Sequence, residues 1–273
     1  MTLKQYFVKN KKLVEQELKK YLPKNTAYPQ TIHKAMNYSV FNGGKRFRPI
    51  LAIAVCEALG GKVKDVLPAA CALELIHCYS LVHDDLPCMD DDDYRRGKLT
   101  CHKKFGEANA VLAGDALLTF AFEVLSQTED AKILKRLLPS FTQAIGSSGM
   151  VGGQVVDKEF EHKEKLEMPE ISYVNIQKTG QLIRLSCLTG ALIAGATKAK
   201  EKAFDDYGKH LGFSFQVVDD IMDSDGFTRI MSHQEAFREA EQLTEQAKKS
   251  VQFLNSKSKR LSEIADFVLN RKK

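Results

Sequence analysis

Apolar side chains recur every three or four residues along most of this chain, which is the spacing of amphipathic helices. Alternation of apolar and polar residues, typical of half-buried strands, is scarce. The clearest stripes are Val14, Leu18 and Tyr21; Ile50, Ile53, Ala54 and Ala58; Leu134, Leu137, Leu138 and Phe141; and Ala236, Ala240, Leu243 and Ala247. The pattern predicts an all-α protein.

Two segments, 69–85 and 203–223, are apolar along most of their length and end in carboxylates. Helices that are apolar on most faces lie in the centre of a bundle, so we expect these two to line a central cavity. Glycines are expected to mark turns at 43–44, 60–61, 146 and 152–153, although the last pair also suits close helix packing. The sequence therefore predicts a single domain over residues 1–273, a helical bundle around that cavity.

The composition is that of an ordinary globular protein, with 44% hydrophobic and 27% charged residues among 273. The 40 Lys and Arg exceed the 35 Asp and Glu by too little to indicate a nucleic-acid partner. Six cysteines without a CxxC pair suit reduced thiols and a cytoplasmic location. We expect no membrane span, because no apolar stretch approaches the required length of about 18 residues. The amino terminus also lacks the apolar core of a signal peptide.

Carboxylates crowd the segment 83–97, which ends in two arginines and a glycine. Small, hard Mg²⁺ takes carboxylate and phosphate oxygens. Planar guanidiniums match phosphate oxygens two at a time. The candidates in this segment are Asp84, Asp85 and Asp90 for a metal, and Arg95 and Arg96 for phosphate.

A second acidic cluster follows in the apolar segment near residue 220. Asp219 and Asp223 stand one helical turn apart, so both carboxylates leave the same helix face. An isolated run of aspartates is usually a solvated loop. Two clusters facing each other across a cavity would instead suit several Mg²⁺ ions with a diphosphate between them.

A turn at 43–49 carries two glycines and three cations at the start of a helix, where anions are attracted. His77 lies two helical turns before Asp84 and shares its face. Both features also allow plain structural roles, as a solvated helix start and a core histidine. Further polar groups within otherwise apolar helices are Lys178, Thr179 and Gln216.

Together these motifs resemble those of the trans-prenyltransferases, or polyprenyl synthases, and among them the bacterial farnesyl diphosphate synthases (geranyltranstransferases). The resemblance covers about residues 30 to 225 and is carried by Gly43 to Pro49, Asp84-Asp85-Leu86-Pro87-Cys88-Met89-Asp90, Gly152 to Gln154, Lys178-Thr179-Gly180 and Phe215 to Asp223. It implies an isoprenoid-synthase-type helical bundle around a deep cavity, commonly a homodimer. The implied enzyme condenses isopentenyl diphosphate with dimethylallyl or geranyl diphosphate to give geranyl or farnesyl diphosphate.

The resemblance also implies roles for individual residues. Up to three Mg²⁺ ions that grip the allylic diphosphate would be bound by Asp84, Asp85, Asp90, Asp219 and Asp223. The same diphosphate would be held by Arg95 and Lys178, and isopentenyl diphosphate by Lys45, Arg48, His77 and Arg96. The place where the allylic cation forms would be lined by Thr179 and Gln216, and the catalytic residues would be Lys178, Thr179 and Gln216.

Tyr79 is a candidate for the residue that limits product length. It lies five residues before Asp84, roughly 7 to 8 Å down the helix at about 1.5 Å per residue. A bulky ring there can form the floor of the cavity and restrict products to C10 to C15. The alternative is that Tyr79 packs in the bundle with its hydroxyl bonded.

The chain departs from the family pattern at residues 225–226. The family continues after the second aspartate motif through a lid loop that carries a further cation, whereas here Asp225 is followed at once by Gly226-Phe227. Either the chain has lost this loop, or the printed sequence omits a mobile one. A true loss would favour a catalytically impaired partner subunit over an active enzyme. A class I terpene cyclase is the other alternative, but it has no use for a second diphosphate site at 43–49.

Overall fold

A computed structural model of the chain describes residues 1–160, 163 and 167–271. Its α-helices are α1 (Leu3–Tyr21), α2 (Gln30–Val40), α3 (Phe47–Ala58), α4 (Val63–Asp84), α5 (Cys101–Phe105), α6 (Glu107–Leu125), α7 (Ala131–Ile145), α8 (Met150–Phe160), α9 (Met168–Val174), α10 (Gln181–Ile193), α11 (Lys198–Asp223), α12 (His233–Ser250) and α13 (Lys259–Leu269). The other elements are a π-helix (Asn175–Gly180), two 3₁₀-helices (Gly226–Arg229 and Gln252–Ser258) and a short antiparallel hairpin of β1 (Tyr94–Arg95) and β2 (Lys98–Leu99). The predicted all-α class is confirmed.

The chain divides into two compact units. Unit 1 comprises Met1–Ile50 and Leu67–Asp130, and unit 2 comprises Leu51–Val66 and Ala131–Lys273. Each is described by itself below. The single domain over residues 1–273 stays a prediction.

In unit 1, α1 begins at a capping box. The hydroxyl of Thr2 accepts from the amide of Gln5 at 3.3 Å, and the side chain of Gln5 accepts from the amide of Thr2 at 3.0 Å. Such caps stabilise a helix start by about 1 kcal/mol. The buried face of α1 repeats every four residues and includes most of the predicted stripe: Tyr6, Asn10, Val14 and Leu18. Beside it in sequence, α2 packs against α5 and α6.

Two helices correct the expectation about apolar length. By length and composition alone, α4 and α6 are apolar enough to cross a membrane. In α4, 72% of the apolar window is buried within the protein, as in the core helix of a globular fold. Neither stretch was recognised in the sequence as long enough, because single polar residues interrupt the apolar residues of α4 and of α6. The corresponding window of α6 is only 39% buried.

In unit 2, α11 packs against α10, α12, α13 and the π-helix. The helix α12 begins at a second capping box, formed by Ser232 and Glu235. Its buried face matches the predicted carboxyl-terminal stripe: Ala236, Ala240, Leu243, Thr244 and Ala247. Several of these residues form one core cluster with Val217, Val218 and Phe227.

The predicted turn at Gly152-Gly153 is wrong, because both glycines lie inside α8. A Cβ on Gly153 would lie 2.4 Å from the backbone nitrogen of Lys178. Similarly, a Cβ on Gly212 would lie 2.9 Å from the Cα of Gly180. Glycine is needed at Gly153 and Gly212 because their helices approach the π-helix closely. Close helix packing was the alternative considered for Gly152-Gly153.

All six cysteines are free, as their spacing predicts. Five are buried, and Cys88 is exposed. Burial raises the pKa of Cys56 and of Cys78 to about 12. These thiols therefore stay protonated and unreactive at neutral pH.

Candidate active site

The first aspartate motif closes into a compact turn directly after α4. The amide of Asp90 donates to the carbonyl of Asp84 at 2.9 Å, and the amide of Asp91 donates to the carbonyl of Leu86 at 3.1 Å. These bonds return Asp90 to the end of the helix that carries Asp84. Asp85 is buried, Asp84 is half-buried and Asp90 is exposed. The turn thus gathers the three metal ligands predicted in unit 1 at one helix end.

Arg95 lies on β1 and pairs with one of these aspartates. Its Nε donates to Oδ1 of Asp85 at 2.5 Å, and its Nη2 donates to Oδ2 of Asp92 at 3.1 Å. Burial raises the pKa of Asp85, and the charge of Arg95 opposes that rise. A buried carboxylate requires a cationic partner, which Arg95 supplies. A predicted metal ligand and a predicted phosphate-binding arginine are therefore in direct contact.

Arg96 lies over the glycine turn that precedes α3. Its Nη1 donates to the carbonyl of Gly43 at 2.8 Å. Gly44 has a φ of +106°, and a Cβ there would lie 2.5 Å from the Arg96 guanidinium. The glycines thus serve two purposes, since they allow a left-handed backbone and leave room for an arginine.

His77, on α4, lies in the electrostatic field of several arginines. Burial, followed by the charges of Arg48 and Arg96, lowers the pKa of His77 well below its ordinary value of 6.5. The imidazole is therefore neutral at pH 7 and can act as both donor and acceptor. Unit 1 brings together three of the four residues predicted to bind isopentenyl diphosphate. The fourth, Lys45, is exposed in the turn before α3.

Arg46 has a different role from its two cationic neighbours in the same turn. It is 2% exposed, and its Nη1 donates to Oε1 of Glu74 at 2.7 Å. Its Nη2 donates to the carbonyl of Val40 at 2.6 Å, and its Nε donates to Oε1 of Glu15 at 3.2 Å. Because all its nitrogens face protein groups, Arg46 fixes the turn rather than binding a ligand.

Tyr79 is enclosed in unit 1, with 5% of its surface exposed. Its ring meets that of His83 edge-on, with centroids 5.9 Å apart. Burial raises the pKa of Tyr79 to about 12, and its hydroxyl has no hydrogen-bond partner within the described part of the chain. The bonded hydroxyl of the packing alternative is therefore not observed, and the floor role stays a prediction.

In unit 2, Lys178 and Thr179 lie in the π-helix. Nζ of Lys178 donates to Oδ2 of Asp157 at 2.6 Å. Asp157 stands one helical turn after Gly153 on α8, so the close approach at Gly153 places this carboxylate beside Lys178. Asp157 belongs to no motif recognised in the sequence, although its spacing of four from Gly153 was an available signal.

Asp219 and Asp223 lie one turn apart on α11, as their spacing predicts. Oδ1 of Asp219 lies 2.6 Å from Nη2 of Arg271, whose guanidinium carbon is 3.6 Å from the centroid of the Phe215 ring. Asp223 is exposed. Arg271 was not anticipated, because it belongs to no motif and no local spacing links it to α11.

Asp220, between these two aspartates in sequence, has a structural role. Its carboxylate accepts from Nδ2 of Asn175 at 3.0 Å, from Nε2 of Gln216 at 2.9 Å and from the amide of Phe227 at 3.0 Å. Burial raises the pKa of Asp220, and these hydrogen bonds oppose the rise. Phe227 is 1% exposed, so Asp220 anchors the short connection after Asp225.

The donor chemistry of both acidic groups fits Mg²⁺. The residues predicted as ligands in each group offer carboxylate oxygens, and Mg²⁺ is usually bound through one or two carboxylates together with substrate phosphates. The ligands would be Asp84, Asp85 and Asp90 in unit 1, and Asp219 and Asp223 in unit 2.

Comparison with known proteins identifies the family. The family model described as polyprenyl synthetase matches residues 29–235. The chain belongs to the polyprenyl synthetase family. The resemblance inferred from the motifs is therefore confirmed.

Several similar proteins have names that state an activity. The chain is 39% identical to geranylgeranyl diphosphate synthase from Cyanophora paradoxa, over 97% of this chain and 95% of that protein. It is 44% identical to farnesyl diphosphate synthase from Geobacillus stearothermophilus, over 83% of this chain and 77% of that protein. Among solved structures, an FPP/GFPP synthase from Zymomonas mobilis is similar with a TM-score of 0.94, 34% identity and 98% coverage of both chains.

One alignment also shows a difference in length between this chain and a relative. The alignment with the Cyanophora protein extends over 288 positions, which is longer than the 273 residues of this chain. That relative therefore has residues opposite gaps in this sequence. The loss of a lid loop after Asp225 stays a prediction.

Proposed function

We propose that this chain catalyses Mg²⁺-dependent condensation of isopentenyl diphosphate with dimethylallyl or geranyl diphosphate, giving geranyl and farnesyl diphosphate. The observation that carries the proposal is the juxtaposition of two kinds of group within unit 1. An acidic turn suited to Mg²⁺ follows α4, and a cationic cluster suited to a diphosphate surrounds its preceding turns. The acidic group is Asp84, Asp85 and Asp90, and the cations are Arg48 and Arg96, which act on the neutral His77.

The cationic cluster favours prenyl transfer over a class I terpene cyclase. A cyclase takes a single diphosphate substrate, so it needs no cations beyond those near its metal ligands. Here Arg95 contacts Asp85, whereas Arg96 turns away to the carbonyl of Gly43. The side chains of the two adjacent arginines therefore lie in different places, as the binding of two diphosphate substrates requires.

The reaction requires cleavage of an allylic carbon–oxygen bond, which leaves a diphosphate with growing negative charge. Bound Mg²⁺ would supply Lewis-acid stabilisation of that charge. Within unit 1, Arg95 stabilises the departing diphosphate more strongly than the ground state, because the charge of the diphosphate rises as the bond breaks. In exchange for substrate oxygens, Arg95 releases the carboxylate of Asp85 that it contacts here.

The neutral state of His77 also suits this role. A neutral imidazole among arginines can donate to an isopentenyl diphosphate oxygen without adding another desolvated charge. Thr179 and Gln216 offer oxygen dipoles that stabilise an allylic cation without forming a covalent bond to it. The side-chain oxygen of Gln216 is oriented by the bond from its Nε2 to Asp220.

Product length and assembly complete the proposal. The enclosed ring of Tyr79 limits chain growth to C10 to C15, whereas the named relatives include geranylgeranyl and farnesyl diphosphate synthases. We propose that the protein is a cytoplasmic homodimer joined through α6. That helix is apolar yet only 39% buried in its apolar window, and it exposes 41% of Val111 and 55% of Leu112.

A catalytically impaired partner subunit is the second candidate function. It is favoured by the contacts of the second aspartate motif, where Arg271 pairs with Asp219 and Asp220 anchors the connection to Phe227. A short connection would lack both a lid and its cation, and so admit water. In this case the first motif still binds Mg²⁺ and diphosphate, while turnover is low.

The test is steady-state turnover of the full chain with isopentenyl diphosphate and geranyl diphosphate, with and without Mg²⁺. Asp84→Asn should lower kcat by about a hundredfold or more, because it removes charge stabilisation in the transition state. Glu129→Gln is the matched control. It removes an exposed carboxylate of the same unit, and its kcat should equal that of the parent.

The outcomes separate the alternatives. Full activity of Asp84→Asn, or of the parent in excess chelator, would disprove the metal assignment. Diphosphate binding without turnover by the parent would identify the partner subunit. Cyclic hydrocarbon products from farnesyl diphosphate alone would identify a cyclase.

A further inference from the structure

A second group of potential metal ligands lies beside the first aspartate motif in unit 1. One ligand atom from each of Asp91, Asp93 and His102 lies within 4.8 Å of the other two. The hairpin brings them together, because Tyr94 pairs with Leu99 and the chain therefore returns to the level of Asp93. None of the three was assigned to the Mg²⁺ motif or to substrate.

The imidazole of His102 is held in one orientation by its neighbours. It is 5% exposed, and its Nδ1 lies 3.1 Å from the hydroxyl of Thr100. That hydroxyl donates to the carbonyl of Asp93 at 3.4 Å, so it accepts a hydrogen bond from Nδ1–H of the histidine. This chain of bonds assigns the tautomer in which Nε2 carries a lone pair.

The other ring nitrogen of His102, Nε2, has no hydrogen-bond donor beside it among the described residues. The atom is buried and lacks a hydrogen bond within the residues that the structure describes. A buried acceptor without a partner destabilises a fold, because it has lost its hydrogen bond to water and gained none in return. A histidine whose other ring nitrogen donates to a protein oxygen is the usual arrangement at a metal site, because that bond fixes the ring.

We propose that Asp91, Asp93 and His102 form a binding site for a divalent transition-metal ion of the Zn²⁺ type, which adjoins the Mg²⁺ motif and uses other ligands. Zn²⁺ accepts imidazole nitrogen at about 2.0 to 2.1 Å and carboxylate oxygen at about 2.0 to 2.2 Å, with water as a fourth ligand. Mg²⁺ prefers oxygen alone and dehydrates reluctantly. The histidine is what distinguishes this site from the all-carboxylate group beside it.

The rest of the site can adapt to such an ion. Both carboxylates are exposed, so their side chains can close on a cation bound at the buried imidazole. Nζ of Lys103 now pairs with Oδ1 of Asp93 at 2.6 Å, but this lysine is exposed and can turn to solvent. A metal ion would link the residue before β1 to the start of α5. It would thereby brace the hairpin that carries Arg95 and Arg96.

The experiment is calorimetric titration of the full chain with Zn²⁺ in excess Mg²⁺, which occupies the oxygen-only groups. We expect one Zn²⁺ ion per chain that Mg²⁺ does not displace. Affinity should fall by at least about tenfold in Asp91→Asn, Asp93→Asn and His102→Gln. The matched control is Asp92→Asn, which removes the same charge from the same segment and should leave Zn²⁺ affinity unchanged.

Thermal unfolding of each metal-free variant is monitored by circular dichroism. If His102→Gln fails to fold, the two exposed aspartate variants decide the question. The proposal is overturned if the parent binds no Zn²⁺ under these conditions. It is also overturned if Asp91→Asn and Asp93→Asn bind it like the parent, or if Asp92→Asn weakens binding as much as they do. None of these readouts depends on prenyl transfer.

Discussion

Replacing Arg46 with methionine should destabilise unit 1 more than any other single change in the turn before α3. The side chains of Arg46 and Glu74 are 0% and 2% exposed, and they are 2.7 Å apart. Arg46→Met leaves the carboxylate of Glu74 buried without its partner, and it also removes the donor to the carbonyl of Val40. Removing one member of a buried pair lowers the free energy of unfolding by about 3 to 5 kcal/mol. That is a large part of the total of about 5 to 15 kcal/mol expected for a folded protein.

The assay is urea denaturation followed by circular dichroism, with Lys45→Met as the matched control. Lys45 is the exposed cation next in sequence, so its replacement should change the free energy of unfolding by no more than about 0.5 kcal/mol. In a double-mutant cycle with Glu74→Gln, the two losses should be non-additive by about 2 kcal/mol. A loss below about 1 kcal/mol for Arg46→Met, or additive losses in the cycle, would refute the reasoning.

Three further changes test other parts of the molecule. Gly226→Ala places a Cβ 2.2 Å from Oδ2 of Asp220 at a φ of +53°, whereas Gly60→Ala meets nothing within 4 Å at a φ of +84°. The first should therefore lower the melting temperature more than the second, and equal shifts would dismiss the anchoring role of Asp220. Tyr79→Ala should lengthen the prenyl products seen by chromatography, and an unchanged limit would reject Tyr79 as the floor. Burial and nearby arginines lower the pKa of His77, so the unfolded chain binds this proton first and stability is lost as the pH falls below about 6.5. His77→Gln should reduce that loss between pH 7 and pH 5, and an unchanged pH profile of the melting temperature would contradict it.

The helices could be predicted because apolar residues at helical spacing form the face that the helix buries. The four-residue repeat of Val14 and Leu18, and the register of Ala236 and Ala240, recur as buried faces of α1 and α12. The hairpin could not be predicted, since strands of two residues are too short to alternate. Gly152-Gly153 was misassigned because sequence alone does not show whether a glycine turns the chain or admits a neighbouring helix.

At the site, residue types and spacing identified candidates but could not assign their partners. The sequence does not distinguish Lys45 from Arg46, whereas the structure exposes Lys45 and buries Arg46 against two carboxylates. Asp219 and Asp220 are adjacent and chemically identical, yet helix rotation directs one to Arg271 and the other to the interior. Such differences depend on long-range contacts, which no local pattern contains.

In the π-helix, a change in the number of residues should be tolerated less well than a substitution. Its hydrogen bonds reach one residue further than those of an α-helix, so it holds a residue that a regular helix would not need. Deleting one residue between Asn175 and Gly180 would restore an unbroken α-helix, but would rotate one side of the join by about 100° relative to the other. Lys178 and Asn175 could not then both keep the carboxylates they now contact. Substitutions here can be absorbed one side chain at a time, whereas a change of length would disrupt two contacts at once.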